Sequence, residues 1–369
     1  MKLHGFELRR ITLPLVSPFT TSFGTQTERH AIIIRAVSDG AEGWGECVAL
    51  VDPVYSPEYM EGAYHVLSTY LVPRLLSAGD ITALRVSTLL SGVVGNRMAK
   101  ASIEMAVLDA ELRAINVPLA SYLGATVDRV PSGVSVGIMP TIDELIAAVG
   151  GYLEDGYQRI KLKIKPGWDV EPVRAVREHF GYDFGLQVDA NTAYTLSDAR
   201  QLKKLDAFDL LLIEQPLGEE DIRQHAELAT VLDTPICLDE SIVSAEAAAD
   251  AIALKATTVI NVKPGRVGGY LEARRIHDIA RANGIAVWCG GMLETGIGRA
   301  ANAALAALPG FTLPGDISAS SRFYETDITE PIVLEGGFIR VPTGPGIGVT
   351  PIAENLDRVT TTTEWFPAA

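Results

Sequence analysis

Five charged residues close apolar runs in the second half of the chain at a nearly constant pitch: Lys163, Asp189, Glu214, Asp239 and Lys263, separated by 26, 25, 25 and 24 residues. One strand, one helix and two loops consume about that length, so the pitch predicts a β/α repeat carrying one charged residue per unit. In a closed barrel of parallel strands, chemistry gathers at the C-terminal ends of the strands. Charges in that position read as a site and not as surface.

Eight runs fit the repeat as strands: 132–137, 159–164, 184–189, 210–214, 235–239, 258–263, 286–290 and 311–314. Helical periodicity fills the intervals, with Leu145, Ile146 and Val149 on one face of 142–153, and Val173, Val176 and Arg177 on one face of 170–179. Strongly apolar strands bounded by helices predict a parallel sheet covered on both faces, and eight such units close into a barrel. An open doubly wound sheet is the alternative. Residues 1–125 lack the pitch. There, runs at 6–15, 30–38 and 42–48, rich in β-branched residues and punctuated by Gly or Pro, predict a small antiparallel sheet, and 100–115 a largely buried helix. Hairpin patterning returns late, at 331–334, Gly336-Gly337 and 338–341, and is expected to pack back on the N-terminal unit. The expected fold is α/β: a TIM-type (β/α)7β barrel over 126–324, an N-terminal α+β capping domain over 1–125, and a C-terminal segment, 325–369, that completes the cap.

A chain of 369 residues, 47% of them hydrophobic, describes a compact globule. Its net charge of -15 repels phosphate backbones and anionic membranes, which argues against nucleic acid as a partner. No apolar run reaches the ~18 residues of a spanning helix, and the start, MKLHGFELRR, lacks a signal-peptide core, so a cytoplasmic location is expected. Cys47, Cys237 and Cys289 sit in strand-like runs with no close pair, as reduced core residues do.

Asp189, Glu214 and Asp239 fall on consecutive strands, three to five, and three such anions do not sit together unpaired. A single acid there would read as a helix cap; three at one pitch read as ligands of a divalent cation. All-oxygen ligands select a hard ion, Mg²⁺, with Mn²⁺ as a substitute. None of the six histidines ends a barrel strand, which argues against zinc or iron. Strand alternation places Lys161 and Lys163 on one face and Ile160, Leu162 and Ile164 on the other. Helices cover the outer face, so both amines point inward, where burial demands anions. Lys263 ends strand six, opposite strand two in a ring of eight.

That layout suits removal of the proton next to the carboxylate of a small-molecule substrate, with a cation to absorb the charge that develops. A base lysine must lose its proton near neutral pH; Lys161 and the dication push the Lys163 pKa down while the acids push it up. Return of a proton by the second amine on the opposite face inverts the stereocentre. With a leaving group on the β-carbon, elimination follows instead.

At these residues the chain resembles the enolase superfamily, in its muconate-lactonizing subgroup: Lys161-Leu162-Lys163, the three acids, Asp239-Glu240-Ser241, Asn261-Val262-Lys263-Pro264 and Gly344-Pro345-Gly346-Ile347-Gly348. The stretches 133–137, 263–269 and 288–296 are similar, more narrowly, to the o-succinylbenzoate synthase and N-succinylamino acid racemase (N-acylamino acid racemase) family. The resemblance implies Asp189, Glu214 and Asp239 as Mg²⁺ ligands, Lys163 and Lys263 as the acid/base pair, a homo-oligomer, and for the synthase activity a place in menaquinone biosynthesis. It also implies that the cap closes over the substrate through loops near 19–24 and 50–59. Phe19, Phe23, Leu50 and Tyr55 are then expected to line the pocket, with Lys161, Ser135, Asn191, Leu293 and Phe323. Muconate cycloisomerase and dipeptide epimerase are alternatives within the superfamily. Dipeptide epimerases carry an Asp-x-Asp pair after strand eight, whereas Asp316-Ile317-Ser318 offers one acid, which favours a substrate with an acylated nitrogen.

Arg266, three residues beyond Lys263, reads either as a charge that lowers the lysine's pKa or as a helix-surface residue. A distant alternative is a dinucleotide-binding oxidoreductase, because Gly296-Ile297-Gly298-Arg299-Ala300-Ala301 matches G-x-G-x-x-A. Five residues separate Gly290 from Gly296, where the fingerprint wants its first glycine in the turn itself.

Overall fold

Alternating buried side chains build the first sheet. In the computed structural model, which describes residues 1–368, β1 (Leu3–Thr21), β2 (Gly24–Ser38) and β3 (Glu42–Cys47) form an antiparallel meander. Phe6 and Leu8 are buried on β1, then Ile11 and Leu13; the phase changes across Arg10/Ile11, where pairing with the last strand of the chain shifts register. Helix Arg97–Ala114 lies across β3, buried around most of its circumference, as a helix between two layers must be. Gly43 and Gly45 permit the approach, since a Cβ at either would collide with helix backbone at Ala110 or Ser102.

After the short β4 (Arg129–Pro131) come β5 (Gly133–Val136), β6 (Arg159–Lys163), β7 (Gly185–Asp189), β8 (Ile213–Glu214), β9 (Ile236–Leu238), β10 (Val259–Val262) and β11 (Ala286–Cys289). These seven lie side by side in chain order, all parallel, with helices between them. Ile160 and Leu162 point outward under the helices, each burial contributing roughly 1.5–3 kcal/mol, so the lysines of the same strand must point inward.

The eighth strand expected at 311–314 is not a regular strand, yet it closes the ring. Phe311 bridges Val287 of β11, and Gly315 bridges Ser132 beside β5; Thr312 N–H donates to Val287 O (3.2 Å) and Gly133 N–H to Gly315 O (2.7 Å). Pro314 has no N–H, which interrupts the ladder. Because both edges of the seven-stranded sheet bond the same segment, the doubly wound alternative is excluded.

The late hairpin, β12 (Leu334–Glu335) with β13 (Phe338–Arg340), pairs with β4 and not with the N-terminal sheet as its sequence suggested. It is β14 (Thr360–Pro367) that returns to the cap, antiparallel to β1. The three cysteines are free and buried, as expected. Among the described residues no helix is long and apolar enough to cross a membrane.

Candidate active site

Parallel register aligns the charged residues. Lys163 is paired with Asp189, and Asp189 with Glu214, so three neighbouring strands present one row at the C-terminal mouth; one step lower Ser135 pairs with Lys161. Lys163 Nζ donates to Asp189 Oδ2 (2.6 Å) and Asn191 Oδ1 (2.7 Å). Lys161 Nζ meets three carboxylates, Asp316 Oδ2 at 2.6 Å, Glu214 Oε2 at 3.0 Å and Asp189 Oδ2 at 3.3 Å, above the Trp288 ring. Across the mouth, Lys263 Nζ donates to Asp239 Oδ2 (2.8 Å) and Tyr55 Oη (3.1 Å).

All three lysines face one cavity, and Phe19, Phe23, Leu50, Tyr55, Ser135, Asn191, Leu293 and Phe323 line it with them. Cap and barrel meet there through Phe19 and Phe323, and within the cap Phe23 packs on Tyr55, each pair with ring centres 6.0 Å apart. Non-glycine residues with positive φ cluster just past the strand ends: Asn191 (41°), Thr192 (65°), Gln215 (35°) and Leu293 (55°). Backbone strain of this kind concentrates where side-chain placement outweighs local comfort.

Asp189, Glu214 and Asp239 are buried behind the amines rather than on the cavity wall. Among the described residues no three acidic, histidine or cysteine side chains form a ready cation cage, because ammonium groups take the oxygens that the sequence reading assigned to a metal. The donor set still suits a hard cation: it is all oxygen, deeply buried and self-repelling. Burial and then Asp189 raise the Glu214 pKa, and Glu240 Oε2 has no hydrogen-bond partner. Asp189 runs the other way, since burial, which raises it, is outweighed by Lys163 and Lys161.

Burial lowers the Lys263 pKa, but Tyr55, Glu214, Glu240 and Asp189 outweigh it and the net direction is upward. The lowering expected from Arg266 is therefore not what dominates. Nor is Arg266 a helix-surface residue: it is buried, its guanidinium lies against the Asp239 carboxylate, and Nη1 donates to Tyr55 Oη at 3.2 Å.

Gln215 went unremarked in the sequence, and Asn261 entered only as part of a motif, without a role. Asn261 Nδ2 donates to Glu214 Oε1 (2.7 Å), and Gln215 Oε1 accepts from the N–H groups of Asp239 (3.0 Å) and Ser241 (3.2 Å), fixing the carboxylates from behind. Asn261 was within reach, since alternation puts it on the same strand face as Lys263. Asp316 is neutralised by Arg159 (2.8 Å) and Lys161 (2.6 Å), so it is not free to pair with a substrate ammonium. At the G-x-G-x-x-A run, Glu46 accepts from Thr295 and Gly298 N–H, so a resident carboxylate holds the helix N-terminus where a dinucleotide would place its phosphates.

A capped β/α barrel with paired lysines over buried acids at its mouth is an enzyme architecture, and family models match both parts: the mandelate racemase/muconate lactonizing enzyme N-terminal domain over residues 7–124, and the enolase C-terminal domain-like family over residues 144–355. The chain belongs to the enolase superfamily. It is similar to an N-succinylamino acid racemase of an Amycolatopsis species, 67% identical over 366 residues, 99% of this chain and 100% of the relative. An o-succinylbenzoate synthase from Geobacillus kaustophilus is 47% identical, over 96% of this chain and 94% of the relative. A crystal structure of an enolase-superfamily member from Listeria innocua matches over the whole of both chains, with a TM-score of 0.96 at 40% identity.

Proposed function

We propose that this enzyme removes the proton next to a carboxylate, racemising N-acylamino acids, N-succinylamino acids foremost, and forming o-succinylbenzoate by dehydration. The observation that carries the reading is that Lys163 and Lys263 open on one cavity from the second and sixth strands of the ring. In the racemase direction a neutral Lys163 Nζ takes the α-proton from one face and the Lys263 ammonium delivers one to the other, so the centre inverts; the opposite enantiomer exchanges the roles. In the synthase direction the Lys163 ammonium formed on taking the α-proton returns it to the β-hydroxyl, which leaves as water.

Enolase-superfamily members generally use Mg²⁺, and Asp189, Glu214 and Asp239 are the residues that would hold it here, with Mn²⁺ as a substitute. Bound there, the cation supplies Lewis-acid stabilisation of the charge that develops as the α-proton leaves. Lys161 fixes Asp189, Glu214 and Asp316, and Asn191 links Lys163 to Glu240 through a 2.9 Å hydrogen bond from Nδ2. Phe19, Phe23, Leu50, Leu293 and Phe323 supply apolar wall and exclude water. Pairing of Asp316 with Arg159 and Lys161 disfavours a dipeptide substrate.

Two assays with Mg²⁺ test the proposal: deuterium exchange into N-succinyl amino acids of both hands, and dehydration of the cyclohexadiene carboxylate precursor. Both activities are expected in the wild type and neither at wild-type rate in Lys163→Ala or Lys263→Ala. A wild type inactive in both assays discards the reading.

A further inference from the structure

The helix that follows Lys263 lacks a cap of its own. Lys263 stands one residue past β10, and its carbonyl accepts from Arg266 N–H (2.9 Å) and Val267 N–H (3.1 Å), closing a single helical turn over Pro264–Val267. Gly268 and Gly269 follow with φ of 105° and 133°, conformations that a side chain resists. Helix Tyr270–Ala282 then begins on Gly269, which has no side chain to satisfy the free N–H groups of the first turn.

The missing acceptor comes from the other domain. Glu104, buried on helix Arg97–Ala114 of the cap, accepts from Tyr270 N–H (3.1 Å) and Leu271 N–H (3.0 Å). A carboxylate there meets two orphan donors and the positive end of the helix dipole. The approach is tight, since a Cβ on Gly269 would stand 2.5 Å from Glu104 Cδ. Val48, just past β3, presses on the same turn: a Cβ on Gly265 would stand 2.6 Å from one of its methyl carbons. With Tyr55 on the Lys263 amine at 3.1 Å, cap residues bear on the segment from Lys263 to Leu271 at both ends and in the middle.

Lys163 is held otherwise. Asp189 and Asn191, which accept from its Nζ, both belong to the barrel. The cap reaches this side through the Ser22 hydroxyl, which donates to Asn191 O (3.2 Å) from the tip of the β1–β2 hairpin. Glu104 lines a separate groove at the seam of the two domains, with Val267 and Leu271, and not the cavity on which both lysines open. Any effect it has on the chemistry passes through the turn.

We infer that Glu104 is a positioning residue for Lys263: by fixing the start of helix Tyr270–Ala282 from the cap, it sets where the turn after β10 lies and so where one of the two amines stands, while the place of Lys163 is set by the barrel. The inference rests on the racemase reading above and adds to it an unequal dependence of the two substrate faces on the cap. Proton transfer responds steeply to such placement, a shift of about 1 Å costing on the order of 10²-fold in rate.

The test compares the two hands of one substrate. α-Proton exchange of D- and L-N-succinylphenylalanine in D₂O is followed at about pH 8 in the wild type, Glu104→Ala, Glu104→Gln and Val48→Ala, with Lys263→Ala marking the hand that Lys263 serves as the one whose exchange it loses. In Glu104→Ala exchange of that hand is expected to fall about tenfold or more with KM little changed, and exchange of the other to stay within about twofold of the wild type. Glu104→Gln, which keeps one accepting oxygen, should lose less, and Val48→Ala should be slowed for the same hand. A merely structural support would lower Tm or slow both hands alike; equal slowing of the two, or slowing of neither, overturns the inference. Should Glu104→Ala fail to fold, Glu104→Gln and Val48→Ala decide by the same criterion. Exchange of neither hand in the wild type sinks the parent reading, whereas exchange of both there, with no asymmetry in the variants, sinks only the role of Glu104.

Discussion

Lys163 Nζ lies 2.6 Å from Asp189 Oδ2, and the two residues are in register on neighbouring parallel strands. A local rule of sheet geometry thus delivers an amine and an acid to the same row, with no loop conformation required. Lys263 is held differently, one residue past the end of β10, by Asp239 at 2.8 Å and by Tyr55 from the cap. One amine belongs wholly to the barrel; the other takes a contact from the lid that closes over it.

If each amine serves one face of the substrate, single variants should separate them. Lys163→Ala and Lys263→Ala are each expected to slow racemisation by about 10²–10⁴-fold, the range for loss of a general acid or base. Each should also retain α-proton exchange with one enantiomer only, and opposite ones. Proton NMR in D₂O reads this directly, and equal exchange of both hands in both variants would contradict a two-amine arrangement.

Metal removal has a readout independent of turnover. EDTA is expected to abolish activity, with recovery on adding Mg²⁺ or Mn²⁺. Because a ligand bound only to the folded state stabilises it, by about 2.7 kcal/mol at a hundredfold excess over Kd, Mg²⁺ should raise the Tm of the wild type. Glu214→Gln and Asp239→Asn should lose most of that rise. A Tm indifferent to Mg²⁺ in the wild type would remove these acids from consideration as ligands.

What the sequence made legible was local. Strand alternation turned Lys161 and Lys163 inward, and the pitch of the repeat brought Asp189 and Glu214 into line with them. Features set by distant partners were not legible. Whether the Arg266 guanidinium turns inward depends on Tyr55, 211 residues away, and the late hairpin chose β4 because its partner is decided by packing, not by its own pattern. Closure by the segment at 311–314 was legible, but not that it closes through bridges at Phe311 and Gly315 instead of a regular strand, because the proline between them weakens the ladder without opening the ring. Anions answering the inward lysines were expected, but not that the ammonium groups would take the oxygens assigned to a metal; charges buried together neutralise one another wherever side chains can reach.

Arg266 offers a test of how the two faces differ. Its guanidinium contacts Asp239 and Tyr55, the same two groups that hold Lys263, and touches neither Lys163 nor Asp189. Arg266→Gln is therefore expected to alter α-proton exchange with the enantiomer served by Lys263 and to spare the other. Exchange changed equally for both hands would reduce Arg266 to a structural support.

Stability should fall as pH rises toward neutrality, through carboxylates that bury without an ion pair. Burial raises the Glu104 pKa from 4.5 to about 7, against the lowering effect of the Leu271 and Tyr270 N–H groups, which it accepts at 3.0 and 3.1 Å. Burial raises Glu46 to about 7 as well. Between the two values the unfolded chain has released the proton and the folded chain has not, so folding binds protons and loses stability as they become scarce. Each group contributes about 3 kcal/mol at most, present in full below about pH 4.5 and gone above about pH 7. Glu104→Gln cannot titrate, and its amide replaces only one of the two accepting oxygens, so the variant should be destabilised most at pH 5 and least at pH 8. Tm measured for both proteins across that range checks it: a gap that narrows with rising pH is expected, and a constant gap would mean that Glu104 enters the fold already ionised, held by the first turn of helix Tyr270–Ala282.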